Sequence, residues 1–201
     1  MKIKPNIPII KTGRKGFQQV GYKKPVMLKR ALYDIFEREE IDGCLMSEKA
    51  EVKQFLDDLK DTKLGKRKIK RVIGAGGSSI AFETPMGDVL KISHKNPFRK
   101  NRPVQEFDAE IYQKGKHKKS YYILEEKLDN VDFLEDDNPV AKVVKKMENK
   151  GFAVWDLCDI QTWQVGRSKD GQIKLLDHEC ARYKSTFHRI KTVIKQLLHK
   201  S

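Results

Sequence analysis

Residues 68–93 decide the fold, and they read KIKRVIGAGGSSIAFETPMGDVLKIS. Alternating or short apolar runs, separated by turn-forming residues, are typical of strands. Gly74–Ser79 is a glycine-rich loop, and Pro85–Asp88 has the composition of a turn. The stretch therefore predicts a β-meander with a glycine-rich first hairpin, with strands at Lys68–Ile73, Ile80–Thr84 and Val89–Ser93.

Helices and further strands are predicted on both sides of this meander. Residues 1 to about 25 mix prolines and glycines with many lysines, which predicts an extended arm. Apolar positions at helical spacing then predict a helix from Val26 to about Ile41 and a second helix beginning at Ser47. The elements predicted downstream are a helix opened by Pro103 that carries Phe107, Glu110 and Ile111, a strand at Tyr121–Leu124, a helix at Val140–Asn149, strands at Trp163–Arg167 and Ile173–Leu176 around the turn Lys169–Gly171, and a last helix from about Thr186 to Leu198.

The chain is strongly basic, and its length suits one or two small lobes. Its 201 residues include 42 Lys and Arg against 28 Asp and Glu, which gives a formal net charge of +14. Such a charge attracts nucleotides, and it leaves nucleic acid or an acidic surface open as a partner. The basic residues are spread along the chain, which favours a solvated basic surface.

No apolar run approaches the ~20 residues of a membrane span. Cys44, Cys158 and Cys180 form no metal-ligand pattern, so we expect a cytoplasmic location, with delivery into a host cell as an effector as an alternative.

The glycine-rich loop is a candidate phosphate-binding element. Phosphate oxygens are held well by backbone N–H groups, and glycine lets the backbone approach closely. A tight hairpin turn uses the same residue types, so the loop alone does not decide between the two roles. A strand rather than a helix follows it, which excludes the dinucleotide-binding fold. The candidate phosphate-binding residues are Gly74, Gly76, Gly77, Ser78 and Ser79.

A lysine and a glutamate follow the loop. Lys91 lies between apolar neighbours on the third predicted strand, and Glu110 lies on the helix predicted after Pro103. A lysine that grips phosphates in a half-buried cleft needs an anion to hold it, and a helical glutamate could supply one. The alternative is a surface ion pair of little energetic consequence.

The segment from Gly74 to Lys91, together with Glu110 and Ile123–Glu126, resembles the small lobe and hinge of a protein kinase. The resemblance implies that Lys91 clamps the phosphates of ATP and that Glu110 holds Lys91. It also implies that the hinge backbone near Glu125, Glu126 and Lys127 binds adenine. Ser79 stands where the family has the last glycine of its loop.

The resemblance extends to residues 159–166, which read DIQTWQVG where many atypical bacterial and phage kinases have Asp-Leu-His-x-x-Asn-Val-Gly. It implies that Asp159 positions the attacking hydroxyl, and that Asp177 and Gln164 bind Mg²⁺. Asp156 is a rival for Asp159. Gln164 replaces the family's metal-binding asparagine, which leaves catalytic activity open.

These observations predict an α+β, two-lobed protein-kinase-like fold with an N-terminal helical extension and a truncated C-lobe. Residues 1–66 would be the basic arm and helical extension, 67–126 the N-lobe and hinge, and 127–201 a minimal C-lobe. The resemblance is to the small effector and phage kinases, and it implies Mg²⁺-dependent transfer of phosphate from ATP to a serine or threonine of a protein substrate or partner.

Two alternatives remain open. One is a small-molecule phosphotransferase of the aminoglycoside and choline kinase type, because Asp177–Ala181 resembles the Asp-x-Glu-x-Ala ending of those enzymes. The other is a non-catalytic, pseudokinase-like module that binds nucleotide or a partner protein, for which Gln164 and the basic charge argue.

Overall fold

A computed structural model describes residues 9–11, 18–37, 49–75, 79–96, 107–129, 131, 139–154, 165–176 and 181–183. The described chain is α+β, with a mostly antiparallel sheet and few helices. Its helices are α1 (Leu28–Phe36), α2 (Lys49–Leu59) and α3 (Pro139–Asn149). Its strands are β1 (Ile9–Lys11), β2 (Gln18–Met27), β3 (Lys68–Ala75), β4 (Ser79–Glu83), β5 (Val89–Ser93), β6 (Ile111–His117), β7 (Ser120–Glu125), β8 (Phe152–Val154), β9 (Val165–Arg167), β10 (Ile173–Leu175) and β11 (Ala181–Tyr183).

The chain divides into two compact units, Met1–Asn96 with Ile111–Lys127, and Pro97–Glu110 with Leu128–Ser201. None of the helices in the described ranges combines the length and the apolar character that crossing a bilayer requires.

The first unit is built on a seven-stranded antiparallel sheet in the order β1-β2-β3-β4-β5-β7-β6. Cross-strand partners share a face, so Val72, Phe82, Leu90 and Leu124 form an apolar row across it. Buried residues of α1 and α2 join this row in one core, and they include Leu32, Val52 and Phe55. The predicted strands of the meander and the two predicted helices are therefore confirmed within the described residues.

The segment predicted as a basic arm contributes a strand to this sheet. β2 pairs with β3, with Val20 opposite Val72 and Val26 opposite Ile69. The pairing is irregular between Gly21 and Val26, and Pro25 is exposed there, as expected for a residue that cannot donate to a ladder. The parts of residues 1–66 that the structure describes thus share a core with the sheet instead of preceding it.

The helix predicted to carry Phe107, Glu110 and Ile111 is wrong over its described part. Phe107 lies in a turn, Asp108 forms a parallel bridge with Leu175, and Ile111 begins β6. Antiparallel pairing with β7 overrides the local helical spacing. β6 and β7 approach each other closely at Gly115, where an added Cβ would lie 2.6 Å from the ring of Tyr122.

The second unit has its own apolar core, which α3 shares with β8, β9 and β10. The rings of Phe107 and Phe152 meet edge to face within it, with centroids 5.8 Å apart. The predicted hairpin around Lys169–Gly171 is confirmed, since β9 and β10 are antiparallel and Gly171 has a φ of 83°. The pairing of β8 with β11 was not predicted, and the last predicted helix lies outside the described residues.

Substitution of Gly65 tests the turn that joins α2 to β3. A Cβ at this position would lie 2.1 Å from the carbonyl oxygen of Leu59, a backbone atom that cannot move aside freely. We expect Gly65→Ala to lower the free energy of unfolding by about 1–3 kcal/mol, as overpacking does. Chemical denaturation measures this change.

Gly74→Ala is the matched control, because a Cβ there would meet no atom within 4 Å. Its effect should stay within about 0.5 kcal/mol, as for an unhindered substitution. Equal losses of stability in the two variants would contradict this account of the turn.

Candidate functional site

The glycine-rich turn lies between β3 and β4, which confirms a strand on each side of it. Gly74 is opposite Ala81, and Ala81 is opposite Lys91, so one row of the sheet connects the glycine to the lysine. The space beside Gly74 is open, since an added Cβ would have no neighbour within 4 Å. Packing therefore does not require glycine at position 74, and the space beside this residue could admit a ligand. Gly76, Gly77 and Ser78 lie outside the described residues.

Lys91 lies on the face of the sheet opposite the α1–α2 core. Its neighbours Leu90 and Ile92 belong to that core, and strand alternation directs Lys91 to the other face. Its side chain is 20% exposed, and its Nζ lies 2.6 Å from Oε1 of Glu125 on β7. Glu125 is fully buried. The two charges are in contact as an ion pair.

The carboxylate that contacts Lys91 in the structure is therefore that of Glu125. Glu110 lies between the bridge at Asp108 and the start of β6, so the role predicted for it loses the helix on which it depended. The register could have revealed Glu125: Lys91 is opposite Ile123, and the residue two positions further along β7 shares its face. The sequence predicted only a backbone role for Glu125, in the hinge.

A second buried carboxylate lies on β4. Glu83 is 3% exposed and is surrounded by three cations: Nε of Arg71 lies 2.5 Å from it, Nζ of Lys70 3.2 Å and Nζ of Lys127 3.5 Å. Burial raises the pKa of Glu83, but the hydrogen bonds from Arg71 and Lys70 and the charges of Arg71 and Lys127 outweigh it. The net effect is a pKa below the ordinary value.

This network anchors the segment that follows β7. Lys127 comes two residues after Glu125, in the stretch for which adenine binding was predicted, and its ammonium is tied to Glu83. Glu126 and Lys127 are half-buried. The adenine-binding role of this segment stays a prediction, whereas its attachment to β4 is a feature of the fold.

The catalytic and metal-binding residues predicted for the large lobe lie outside the described residues, namely Asp159, Gln164 and Asp177, with the rival Asp156. Their flanks are described: Val165 is paired with Leu175 at the end of the β9–β10 hairpin. Within the described ranges, no group of three or more His, Cys, Asp or Glu side chains could hold a metal ion. The magnesium site therefore stays a prediction.

Comparison with known proteins gives matches only among solved structures, because no protein-family model and no curated protein matches the chain. A crystal structure of monomeric WbdD is 16% identical, with a TM-score of 0.39, over 59% of this chain and 36% of the other. A structure of WbdD described as a bifunctional kinase-methyltransferase is 17% identical, with a TM-score of 0.37, over 55% and 31%. A co-crystal structure of WbdD with a kinase inhibitor is 14% identical, with a TM-score of 0.40, over 65% and 38%.

The chain thus spans about a third of the length of the WbdD chains that it matches. These identities and TM-scores are too low to establish a common fold. The function proposed below rests on the residues of this chain.

The ion-pair network of Glu83 predicts a dependence of stability on pH. The folded-state pKa of Glu83 is lowered, so the stabilisation is fully present above its ordinary value of 4.5 and is lost as the pH falls through the lower folded-state value. We expect the stability difference between the wild type and Glu83→Gln to be largest near neutral pH and to shrink in acid. Urea denaturation over a pH series measures it.

Glu148→Gln, on the exposed face of α3, is the control and should give a small difference at every pH. A difference for Glu83→Gln that stays constant from neutral pH to pH 3 would contradict the role assigned to its charge.

Proposed function

We propose that this protein binds ATP with Mg²⁺ and transfers the γ-phosphoryl group to a hydroxyl of a protein substrate, as an atypical serine/threonine kinase. In this reaction the bond between the γ-phosphorus and the oxygen that bridges it to the β-phosphorus breaks. A bond from the γ-phosphorus to the substrate oxygen forms, the hydroxyl proton passes to Asp159, and ADP leaves.

The pairing of Lys91 with Glu125 carries the proposal. A lysine in the middle of a sheet needs a reason to be there, because a nonpolar residue would serve packing at lower cost. Lys91 is held by a buried carboxylate, retains 20% exposure and shares a row of the sheet with Gly74. An ammonium group fixed beside an open glycine-rich turn is suited to phosphate oxygens.

Glu125 is a positioning residue in this proposal. Its carboxylate holds Nζ of Lys91 at a fixed point on the sheet, so that the lysine does not lose its orientation when the triphosphate leaves. The tether comes from a neighbouring strand and is part of the sheet itself. Phosphate binding by Lys91 then needs no movement of a helix.

Chain connectivity supports the proposed metal-binding residues. Gln164 directly precedes Val165, and Asp177 follows Leu175 by two residues, while Val165 and Leu175 are paired in the β9–β10 hairpin. The hairpin thus brings together two described residues that lie close to them in sequence, and amide and carboxylate oxygens are suitable ligands for Mg²⁺. When bound, the ion neutralises charge on the triphosphate.

ATP binding by Lys91 and Glu125 can be measured by a thermal-shift titration with Mg²⁺ present. Removing Lys91 alone would leave Glu125 buried without its cation, at a cost of about 3–5 kcal/mol in stability. The double variant Lys91→Met with Glu125→Gln removes both charges together and avoids this cost. We expect it to fold and to bind ATP about tenfold to a hundredfold more weakly, since a charge-assisted hydrogen bond is worth about 1.5–3 kcal/mol.

Lys60→Met with Asp57→Asn is the matched control, because it removes one lysine and one carboxylate that form an exposed ion pair at the end of α2. It should bind ATP like the wild type. Equal loss of binding in both double variants, or no loss in either, would refute the assignment of the phosphate site.

Transfer itself is tested with radiolabelled ATP and a mixture of protein substrates. We expect incorporation that disappears in Asp159→Ala and in Asp177→Ala while the folded fraction is unchanged. ATP binding without incorporation would leave the non-catalytic binding module as the function. Incorporation into aminoglycosides or choline, but not into proteins, would favour the small-molecule phosphotransferase.

A further inference from the structure

Two lysine-rich stretches that are distant in sequence come together in the first unit. Residues 63–68 read KLGKRK and residues 114–119 read KGKHKK, and each stretch has four Lys or Arg and no Asp or Glu. The first stretch lies in the turn after α2 and at the start of β3, and the second covers the end of β6 and its turn into β7.

Specific contacts hold the two stretches side by side. The buried carboxylate of Asp58, at the end of α2, accepts hydrogen bonds from the backbone N–H of Lys119 at 3.1 Å and from the hydroxyl of Ser120 at 2.8 Å. At the other end of β6, Nη1 of Arg67 donates to Oε1 of Gln113 at 3.5 Å. The turn after α2 therefore runs along β6, the last strand of the sheet.

The side chains of this pair of segments point to solvent. We name the basic ridge after its six cations, which are Lys63, Lys66, Arg67, Lys116, Lys118 and Lys119. All except the half-buried Arg67 are exposed. Among the described residues, no carboxylate forms an ion pair with any of the six. Asp58 is buried and engaged by Lys119 N–H and Ser120, and Nζ of Lys118 donates to the backbone carbonyl of Asp57 at 3.3 Å.

The backbone beneath the ridge is well fixed. The hydroxyl of Thr62 donates to the carbonyl of Leu59 and accepts from the N–H of Gly65, and the N–H groups at the start of α1 donate to the carbonyls of Gly65 and Arg67. On the other side, β6 is paired along its length with β7. A ligand would therefore find the charges already arranged, at little cost in conformational entropy.

A simpler explanation covers only half of this arrangement. Lysines on an edge strand prevent it from pairing with another chain, which explains Lys116 and its neighbours on β6. It does not explain Lys63 and Lys66, which lie in a turn and expose no strand edge. Protection of an edge also does not require a second basic segment beside the first.

The aromatic residues of β6 and β7 indicate the kind of polyanion. Tyr112 on β6 is 51% exposed, and Nζ of Lys116 lies 5.1 Å from the centroid of the Tyr121 ring. An exposed tyrosine and a lysine over the ring of a second, half-buried tyrosine fit a single-stranded nucleic acid site, where bases stack and phosphates pair with cations. A membrane-binding surface would instead expose large aliphatic side chains, and β6 exposes none.

We propose that the basic ridge, with Tyr112, binds single-stranded nucleic acid through its phosphates and bases. This inference is independent of the proposed kinase activity, because its residues lie on β6, in the turn from β6 into β7 and in the turn before β3, and neither Lys91 nor Glu125 takes part. The charge that looked evenly spread along the sequence is locally concentrated by the fold.

Fluorescence anisotropy with labelled oligouridylate and oligothymidylate of equal length tests the proposal on the full chain. We expect binding that weakens as salt rises. In Lys63→Gln/Lys66→Gln and in Lys116→Gln/Lys119→Gln, the slope of log affinity against log salt should shrink by about 0.7 per lost phosphate contact. Affinity should fall about tenfold when all four are combined. Equal affinity for the two oligonucleotides would indicate that the ridge reads phosphates and bases without using the 2′-hydroxyl, and preference for one would identify RNA or DNA as the ligand.

Lys145→Gln/Lys146→Gln removes two exposed lysines from α3 and is the matched control, which should bind like the wild type. Tyr112→Ala should weaken binding, and Tyr112→Phe, which keeps the ring, should not. Equal weakening in the α3 control would mean that net charge alone attracts the oligonucleotide and would overturn the proposal. So would binding to phosphatidylserine vesicles with no binding to either oligonucleotide.

Discussion

The first unit depends on an ion pair inside its sheet, between Lys91 on β5 and Glu125 on the neighbouring β7. A fully buried carboxylate is tolerated only when a cation compensates it, so these two side chains fix each other and the relative position of two central strands. The opposite face of the same strands packs against α1 and α2 with apolar residues such as Leu90 and Leu124. One face of the sheet therefore supplies the core, and the other carries charge.

A second carboxylate extends this charged face. Glu83 lies on β4, two strands from Glu125, and its contacts with Arg71 and Lys127 connect β3, β4 and the segment after β7. Both carboxylates are buried and contact cations, so they offset part of the repulsion between the cations of this face. A polar, pre-formed sheet face that shares a row with Gly74 is the physical basis on which we propose nucleotide binding. Lys91 is partly exposed on this face, whereas its partner Glu125 is fully buried.

The sequence predicts the elements that depend on local patterns. It misses the elements and contacts that depend on pairing between distant segments. The meander, α1, α2 and the hairpin around Gly171 follow from period, turn residues and glycine positions. The helix predicted after Pro103 included Ile111, which begins β6, and only the pairing with β7 makes this residue part of a strand. Glu125 as the partner of Lys91 needs the register of β5 and β7, which no local window contains. The basic ridge likewise depends on Asp58, which joins segments 61 and 62 residues apart in sequence.

The central claim is that Lys91 faces the phosphates of a bound nucleotide. An acyl-phosphate derivative of ATP, which transfers its acyl group to a lysine amine beside the bound phosphates, tests it directly when the modified residue is identified by mass spectrometry. We expect Lys91 to be the principal modified lysine and excess ATP with Mg²⁺ to protect it. Modification confined to exposed lysines such as Lys66 and Lys145, with no protection by ATP, would contradict the account.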